Sequence, residues 1–322
     1  MTHLPVFATF RNAVKFVLAN AFTIVRLTWF PLLVLAVATY FLKQQIITMQ
    51  LAAIESAPGA TLHDALSRAQ GAAPLSIVQT IVSLLAISIS AVALHRIILF
   101  NDRKPGTFIL FALGKTEMTY ALMAVLWVAS IAGFFIAVML VALSALAPEI
   151  GNAGDIVARF MDGTIDASVI RAGGLFAVIM GVAGFLAVWA MVRLSVLPAA
   201  VVATGRLAVS ETLALTRGNA WNLIGLFFVT MFSLLVVLMI VGSLLLPPAI
   251  KDMWLPLLRE TAFDPGRMMQ TALHWQLDHL AMLTALEYCV MILATALGVG
   301  LISHAYKALK GVPADQALPA PG

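Results

Sequence analysis

The chain has 322 residues, of which 62% are hydrophobic and 11% are charged, and its mean hydropathy is +1.01. Soluble domains have a charged residue at roughly one position in four, so this composition excludes water as the main solvent of the folded chain. Lys and Arg outnumber Asp and Glu by 19 to 15. The basic residues are dispersed at predicted helix ends, which argues against nucleic acid as a partner.

Residues 6–18 form the first predicted element, a helix with apolar and polar residues on opposite faces. The apolar face contains Val6, Phe7, Phe10, Val14, Val17 and Leu18, and the polar face contains Thr9, Arg11, Asn12 and Lys15. This pattern predicts an amphipathic helix that lies in the membrane interface. The alternative is a cytosolic helix that packs against the rest of the protein.

Six apolar runs follow, each at or above the roughly 20 residues that cross a hydrocarbon core. They are residues 21–42, 74–100, 118–148, 172–192, 218–250 and 280–303. Backbone groups in lipid must bond internally, and these runs lack the alternation of barrel strands, so helices are predicted. The predicted fold class is an all-α membrane protein with about six transmembrane helices and an N-terminal amphipathic interfacial helix.

The segments between the spans predict the topology. Those on the side of the two termini contain more Lys and Arg than those on the other side, so both termini are predicted to be cytoplasmic. Residues 1–306 are predicted to form one transmembrane domain, and residues 307–322, rich in Pro and Ala, a short disordered cytoplasmic tail. On the opposite side, Asp264 before Pro265 predicts the start of a helix that runs into the sixth span.

Small residues recur at intervals of four in three of the spans. They are Ala129, Gly133 and Ala137, then Ala177 and Gly181, then Ala294 and Gly298. This spacing predicts close packing between transmembrane helices. The alternative is that these residues line a transport path.

Glu287 is the only acidic residue deep in a predicted span. A helix that enters the membrane near Asp278 would carry this carboxyl group about 13 Å into a core about 30 Å thick. A charge at that depth is costly, so we expect Glu287 to be neutral, paired or hydrated, and it is a candidate functional residue. The alternative is a structural Glu that is hydrogen-bonded to a neighbouring span.

Five residues are candidate metal ligands. His274, Asp278 and His279 precede the sixth span, and His63 and Asp64 could approach them from another predicted loop. The spacing is not that of His-Glu-x-x-His, so no metal site is predicted. The chain also lacks a Gly-rich phosphate loop, a Gly-x-Ser-x-Gly elbow and a paired-carboxylate motif. The sequence therefore predicts no catalytic residue, no cofactor and no enzymatic activity.

The connection between the fourth and fifth spans contains the basic residues of most interest. Arg193 ends the fourth span, where such a side chain is expected to reach towards the interface. Arg206 and Arg217 are predicted to lie with Ser210 along one stripe of a short helix, where guanidinium groups can hold lipid phosphates.

The same connection is predicted to follow the membrane interface. Pro198 disfavours a continued regular helix. Gly218 is expected to end the short helix in the left-handed conformation, and Trp221 to anchor the fifth span at headgroup depth.

Two stretches of this connection are similar to a known family. Residues 192–200 read Val-Arg-Leu-Ser-Val-Leu-Pro-Ala-Ala, and residues 212–221 read Thr-Leu-Ala-Leu-Thr-Arg-Gly-Asn-Ala-Trp. The pattern resembles the polytopic membrane domain of the glycerophosphodiester phosphodiesterase membrane-domain superfamily, including stand-alone inner-membrane relatives of unknown function. The catalytic motif is absent, because Ile97 follows His95 and Arg96 where that enzyme class has His-Arg-Gly.

The resemblance implies a helical membrane domain in the bacterial inner membrane, without phosphodiesterase activity. It adds Thr216 and Asn219 to the candidate residues Arg193, Arg206, Arg217, Gly218, Trp221 and Glu287. The leading hypothesis is a non-enzymatic integral membrane protein that contacts lipids, with anionic headgroups, another membrane protein or a second copy as partners. The alternative is a small transporter or permease component that uses Glu287 within the bundle.

Overall fold

The computed structural model describes residues 3–55, 73–102, 114–150, 167–249 and 265–319. Within these ranges the regular structure is entirely α-helical, in ten helices. They are α1 Val6–Ala19, α2 Ala21–Glu55, α3 Ala73–Phe100, α4 Lys115–Ile150, α5 Ala167–Leu194, α6 Leu197–Thr204, α7 Val209–Leu215, α8 Ala220–Ala249, α9 Pro265–Asp278 and α10 Leu280–Leu309.

The predicted fold class is confirmed, because six helical segments of the described chain are long and apolar enough to cross a membrane. Five of them are the helices α2, α3, α4, α8 and α10, and the remaining one comprises α5 together with α6. The helix predicted to begin at Pro265 is α9. It is followed by a break at His279, so α9 and the sixth span are separate helices.

The packing of the spans concentrates the core at one end of the bundle. Helices α2, α3 and α10 pack against one another, α4 pairs with α5, and α8 packs against α1 and α5. At that end the backbone N–H of Leu4 donates to Asn219 Oδ1 at 3.0 Å, and that of Leu318 donates to the carbonyl of Leu99 at 2.7 Å. We call the end marked by these four residues the terminal face.

Helix α6 differs from the sequence expectation, because it lies in the core instead of along the membrane interface. Residues 197–202 are all buried, and the helix packs against α3, α4 and α10. Pro198 is in the first turn, where its missing N–H breaks no helical hydrogen bond. An apolar helix with adjacent alanines presents no polar face to headgroups, and its small side chains allow close approach.

Helix α1 packs across the ends of α8 and α10. A Cβ atom placed on Gly225 would lie 3.8 Å from Val6, and one on Gly300 would lie 3.4 Å from Ala13. The sequence placed Phe7 and Leu18 on the apolar face, yet both are exposed, and Thr9 from the polar face is buried. The small Ala13 side chain lets α1 approach Gly300 closely. Of the predicted apolar face, Val6, Phe10, Val14 and Val17 pack against the core, and only Phe7 and Leu18 face outwards.

The small residues at intervals of four do not make the close helix contacts that were predicted. A Cβ atom on Gly133, Gly181 or Gly298 would meet nothing within 4 Å, and Ala129 and Ala177 are exposed. Within the described chain, the close glycine contacts to a neighbouring helix are those of Gly225 and Gly300 with α1. Spacing alone does not show which face of a span meets another helix.

The chain after residue 306 also differs from the predicted disordered tail. Helix α10 continues to Leu309, and Lys307 is buried with its Nζ donating to the carbonyl of Ala314 at 2.7 Å. The N–H of Val312 donates to the carbonyl of Lys307 at 2.9 Å. A buried ammonium needs an acceptor, and the returning backbone supplies it. Residues 320–322 lie outside the described residues.

Candidate functional site

Arg193 at the end of α5 makes contacts inside the protein. Its Nη2 donates to the carbonyl of Leu213 in α7 at 2.6 Å, and its guanidinium carbon lies 5.1 Å from the centre of the Trp189 ring. The first contact satisfies a carbonyl near the end of α7, and the second is a cation–π interaction. Arg193 therefore joins α5 to α7.

Thr216 and Asn219 form a buried polar junction between α7 and α8. Thr216 Oγ1 donates to the carbonyl of Thr212 at 2.9 Å. Asn219 Oδ1 accepts hydrogen bonds from the N–H of Leu4 at 3.0 Å and from Asn222 Nδ2 at 3.3 Å. Asn219 thus fixes the chain before α1 to the start of α8, and this junction supports the surface around it.

Gly218 has the left-handed backbone that the sequence predicts, with φ of 81°. This conformation costs a residue with a Cβ atom about 1–2 kcal/mol, and here it joins the end of α7 to the start of α8. On each side of Gly218 one side chain is buried and one is exposed. The side chains of Thr216 and Asn219 are buried, and those of Arg217 and Trp221 are exposed.

Arg206 and Arg217 do not lie on one helical stripe with Ser210, so that part of the prediction is wrong. Arg206 precedes α7, after the left-handed Gly205, and Arg217 follows the end of α7. The helix between them covers only Val209–Leu215, so each arginine lies outside it, next to a left-handed glycine. Both guanidinium groups are on exposed residues, and the exposed indole of Trp221 lies one turn beyond Gly218.

Glu287 is paired with Lys43, and the sequence does not indicate this pairing. Lys43 Nζ in α2 lies 2.6 Å from Glu287 Oε1 and 2.8 Å from Oε2, so both carboxylate oxygens accept from one ammonium. Both side chains are partly exposed at the surface of the bundle. The pair joins the first span to the last, and it leaves no net charge at this position.

The length of α10 changes the estimated depth of this pair. Thirty residues extend about 45 Å, which exceeds a core of about 30 Å by about 7 Å at each end if the helix is centred. Glu287 is seven residues after Leu280, or about 10 Å along the helix, so it lies only about 3 Å inside the core. Close to the edge of the hydrocarbon core, the Lys43 and Glu287 side chains can stay in contact with water by extending towards the membrane interface.

A second polar group, centred on His95 in α3, was missed from the sequence. His95 is fully buried, with Nδ1 2.7 Å from Ser303 Oγ and its ring 5.9 Å from that of Tyr120. Its Nε2 has no hydrogen-bond partner among the described residues. A histidine inside an apolar run was the available signal, but only the fold shows that Ser303 faces it.

The terminal face also carries an ion pair that the sequence does not indicate. Lys310 Nζ lies 2.6 Å from Glu211 Oε1, and Tyr306 OH lies 3.5 Å from the same oxygen. This contact links α7 to the end of α10. Together with the Arg193 contact, it holds α7 in place between Arg206 and Arg217.

The residues considered for a metal site do not form one in the described part of the chain. His279 Nδ1 is 2.9 Å from the carbonyl of Trp275, and the two rings are stacked at 4.7 Å. Within the described ranges, no three His, Cys, Asp or Glu side chains are grouped to hold a metal ion. His63 and Asp64 lie outside the described residues.

Comparisons with protein-family models, with curated proteins and with solved structures find no match. The class of the protein follows from its fold, which is that of a multi-pass α-helical membrane protein. Its candidate functional surface is the exposed set of Arg206, Arg217 and Trp221 around the buried junction of Thr216 and Asn219.

Proposed function

We propose that the protein is a non-enzymatic integral membrane protein that contacts anionic lipid headgroups at its terminal face and acts there as a membrane-organising or accessory subunit. The observation that carries this proposal is the exposure of Arg206, Arg217 and Trp221 around the buried residues Thr216 and Asn219. The backbone there is set by the left-handed Gly218 and by the hydrogen bond between Leu4 and Asn219.

The chemistry of these three side chains fits a phospholipid surface. A guanidinium group can donate two parallel hydrogen bonds to a phosphate. A basic residue at the surface of an anionic membrane contributes about 1 kcal/mol of attraction, and an indole favours the headgroup region. A loop that is already fixed by buried hydrogen bonds retains more of this attraction, because less backbone freedom is lost on contact.

The proposal places the terminal face on the cytoplasmic side of a bacterial inner membrane. The excess of Lys and Arg in the segments of this side favours a cytoplasmic position. The bacterial location follows from the resemblance of residues 192–200 and 212–221 to the phosphodiesterase membrane domain. Residues Arg217, Gly218 and Asn219 are the centre of that resemblance.

A permease component is the second candidate function, and the Lys43–Glu287 pair is the observation that favours it. Paired ionisable groups within spans occur along ion and proton pathways. The pair lies at the bundle surface and near the estimated rim of the hydrocarbon core, where a structural ion pair is also stable. The lipid-contact proposal therefore ranks first.

Exchanging Arg206 and Arg217 together for Gln is expected to reduce the anionic lipid that co-purifies with the protein in mild detergent. Each exchange removes about 1 kcal/mol of attraction to anionic headgroups and leaves the buried junction unchanged. Mass spectrometry of the extracted lipids measures the effect, and Arg267→Gln, on an exposed residue of α9, is the matched control. An unchanged lipid complement in the double variant would rule out these two arginines as the contact site.

A further inference from the structure

The four most exposed large apolar residues of the described chain all lie at the terminal face. They are Phe22, Phe7, Trp221 and Leu18, with 80%, 78%, 76% and 74% of their surface accessible. Trp221 is at the start of α8, Phe7 and Leu18 are on α1, and Phe22 is at the start of α2. Large apolar side chains exposed to this degree mark a surface that contacts another phase or molecule.

The outward face of α1 combines these apolar residues with positive charge. Phe7, Arg11, Lys15 and Leu18 are separated by four, four and three positions, so they form one stripe of the helix. All four are exposed, whereas Thr9 and Ala13 on the opposite side are buried against the bundle. We call these four residues, together with Phe22, the α1 stripe.

The position of α1 places this stripe at the level of the span ends. The chain before α1 is bonded to Asn219, immediately before α8, and Phe16 contacts His304 with ring centres 6.4 Å apart. His304 is five residues from the end of α10. The helix therefore crosses from the first turn of one span to the last turns of another, which is where the headgroup region begins.

The positive charge of the first helices indicates which lipid headgroups the α1 stripe would bind. Arg11, Lys15 and Arg26 occur before any acidic residue, the first of which is Glu55 at the far end of α2. The sequence around the α1 stripe thus supplies no carboxylate to balance its ammonium and guanidinium groups. The complementary partner has apolar chains for Phe7 and Leu18 and a negatively charged headgroup for the two basic residues.

We infer that the α1 stripe is a lipid-binding surface that inserts its apolar residues at headgroup depth and holds anionic phospholipid through Arg11 and Lys15. This inference rests on the proposed lipid-contact function and adds a second surface to it. The Leu4–Asn219 hydrogen bond joins the residues just before α1 and just before α8, so the α1 stripe lies near the loop that carries Arg217.

The test uses the full-length protein in vesicles of phosphatidylcholine with or without phosphatidylglycerol. In a Cys289→Ala background, Leu18→Cys is labelled with an environment-sensitive fluorophore and quenched by lipids that carry a quencher near the headgroup or in the middle of the acyl chain. Gln316→Cys is the matched aqueous control on the terminal face, and Met239→Cys, exposed on α8, is the control within the apolar part of a span.

The label at residue 18 is expected to be quenched most by the headgroup quencher, and the label at residue 316 to remain unquenched. Combined Arg11→Gln and Lys15→Gln exchanges should lower the preference for phosphatidylglycerol about fivefold for each charge removed. A label at residue 18 that behaves like the one at residue 316, or an unchanged lipid preference, would overturn the inference.

The two experiments distinguish the proposed function from this inference. If Arg206→Gln with Arg217→Gln reduces the bound anionic lipid while residue 18 stays aqueous, the proposed function stands and the α1 stripe is not a lipid surface. If residue 18 is quenched as expected and the Arg206 and Arg217 exchanges are silent, the inference stands and the lipid contact is made by α1 alone.

Discussion

Replacing Ala200 with leucine is expected to lower the free energy of unfolding by about 1–3 kcal/mol, because it overfills a close-packed site. Ala200 and its neighbours Ala199 and Val201 are completely buried in α6. This helix packs against α3, α4 and α10, so none of its sides offers room for three more carbon atoms. The measurement is the thermal unfolding midpoint of the purified protein in detergent.

Ala129→Leu in α4 is the matched control for this prediction. Ala129 is exposed, and the nearby Gly133 has open space where a Cβ atom would be. The same enlargement should therefore leave the unfolding midpoint almost unchanged. If Ala129→Leu destabilised the protein more than Ala200→Leu, α6 would not be the centre of the core, and the face of α4 with Ala129 would be a packing surface.

Removing one partner of the Lys43–Glu287 pair is expected to destabilise the protein more than removing both. Glu287→Gln leaves an ammonium near the hydrocarbon rim without its carboxylate, and Lys43→Met leaves a carboxylate without its ammonium. The double exchange leaves no unpaired charge. Because both side chains are partly exposed, water and salt reduce each effect, so the order of the unfolding midpoints is the prediction.

The reversed pair, Lys43→Glu with Glu287→Lys, separates a structural role from a transport role. A structural pair should regain most of the unfolding midpoint, because either orientation closes the same contact between α2 and α10. In a permease, Glu287→Gln would abolish ion or proton movement into vesicles at an unchanged unfolding midpoint. That second result would make transport the leading function.

The spans could be predicted from the sequence because membrane insertion depends on local composition. The run at 74–100 corresponds to α3, Ala73–Phe100, and the run at 280–303 begins where α10 begins. The left-handed Gly218 was equally predictable, since it depends on the backbone at one position. These features need no knowledge of which helices are neighbours.

The contacts of the candidate site could not be predicted, because they depend on which helices meet. Lys43 and Glu287 are 244 positions apart, and Leu4 and Asn219 are 215 positions apart. The burial of α6 was missed for the same reason. An apolar segment with a proline is compatible with both the membrane interface and the core, and only its packing against α3 and α10 distinguishes them.

The side of the membrane on which the terminal face lies can be measured with reporter fusions, and it decides whether the proposed lipid contact is possible. Lipid contact in the cytoplasmic leaflet requires six crossings with this face inside the cell, so reporters fused after Lys310 and within residues 103–115 should read cytoplasmic. Reporters placed near Asp64, Asp162 and Asp264, which lie outside the described residues, should read periplasmic. A periplasmic reading after Lys310 would contradict the predicted orientation and the proposed cytoplasmic position of Arg206, Arg217 and the α1 stripe.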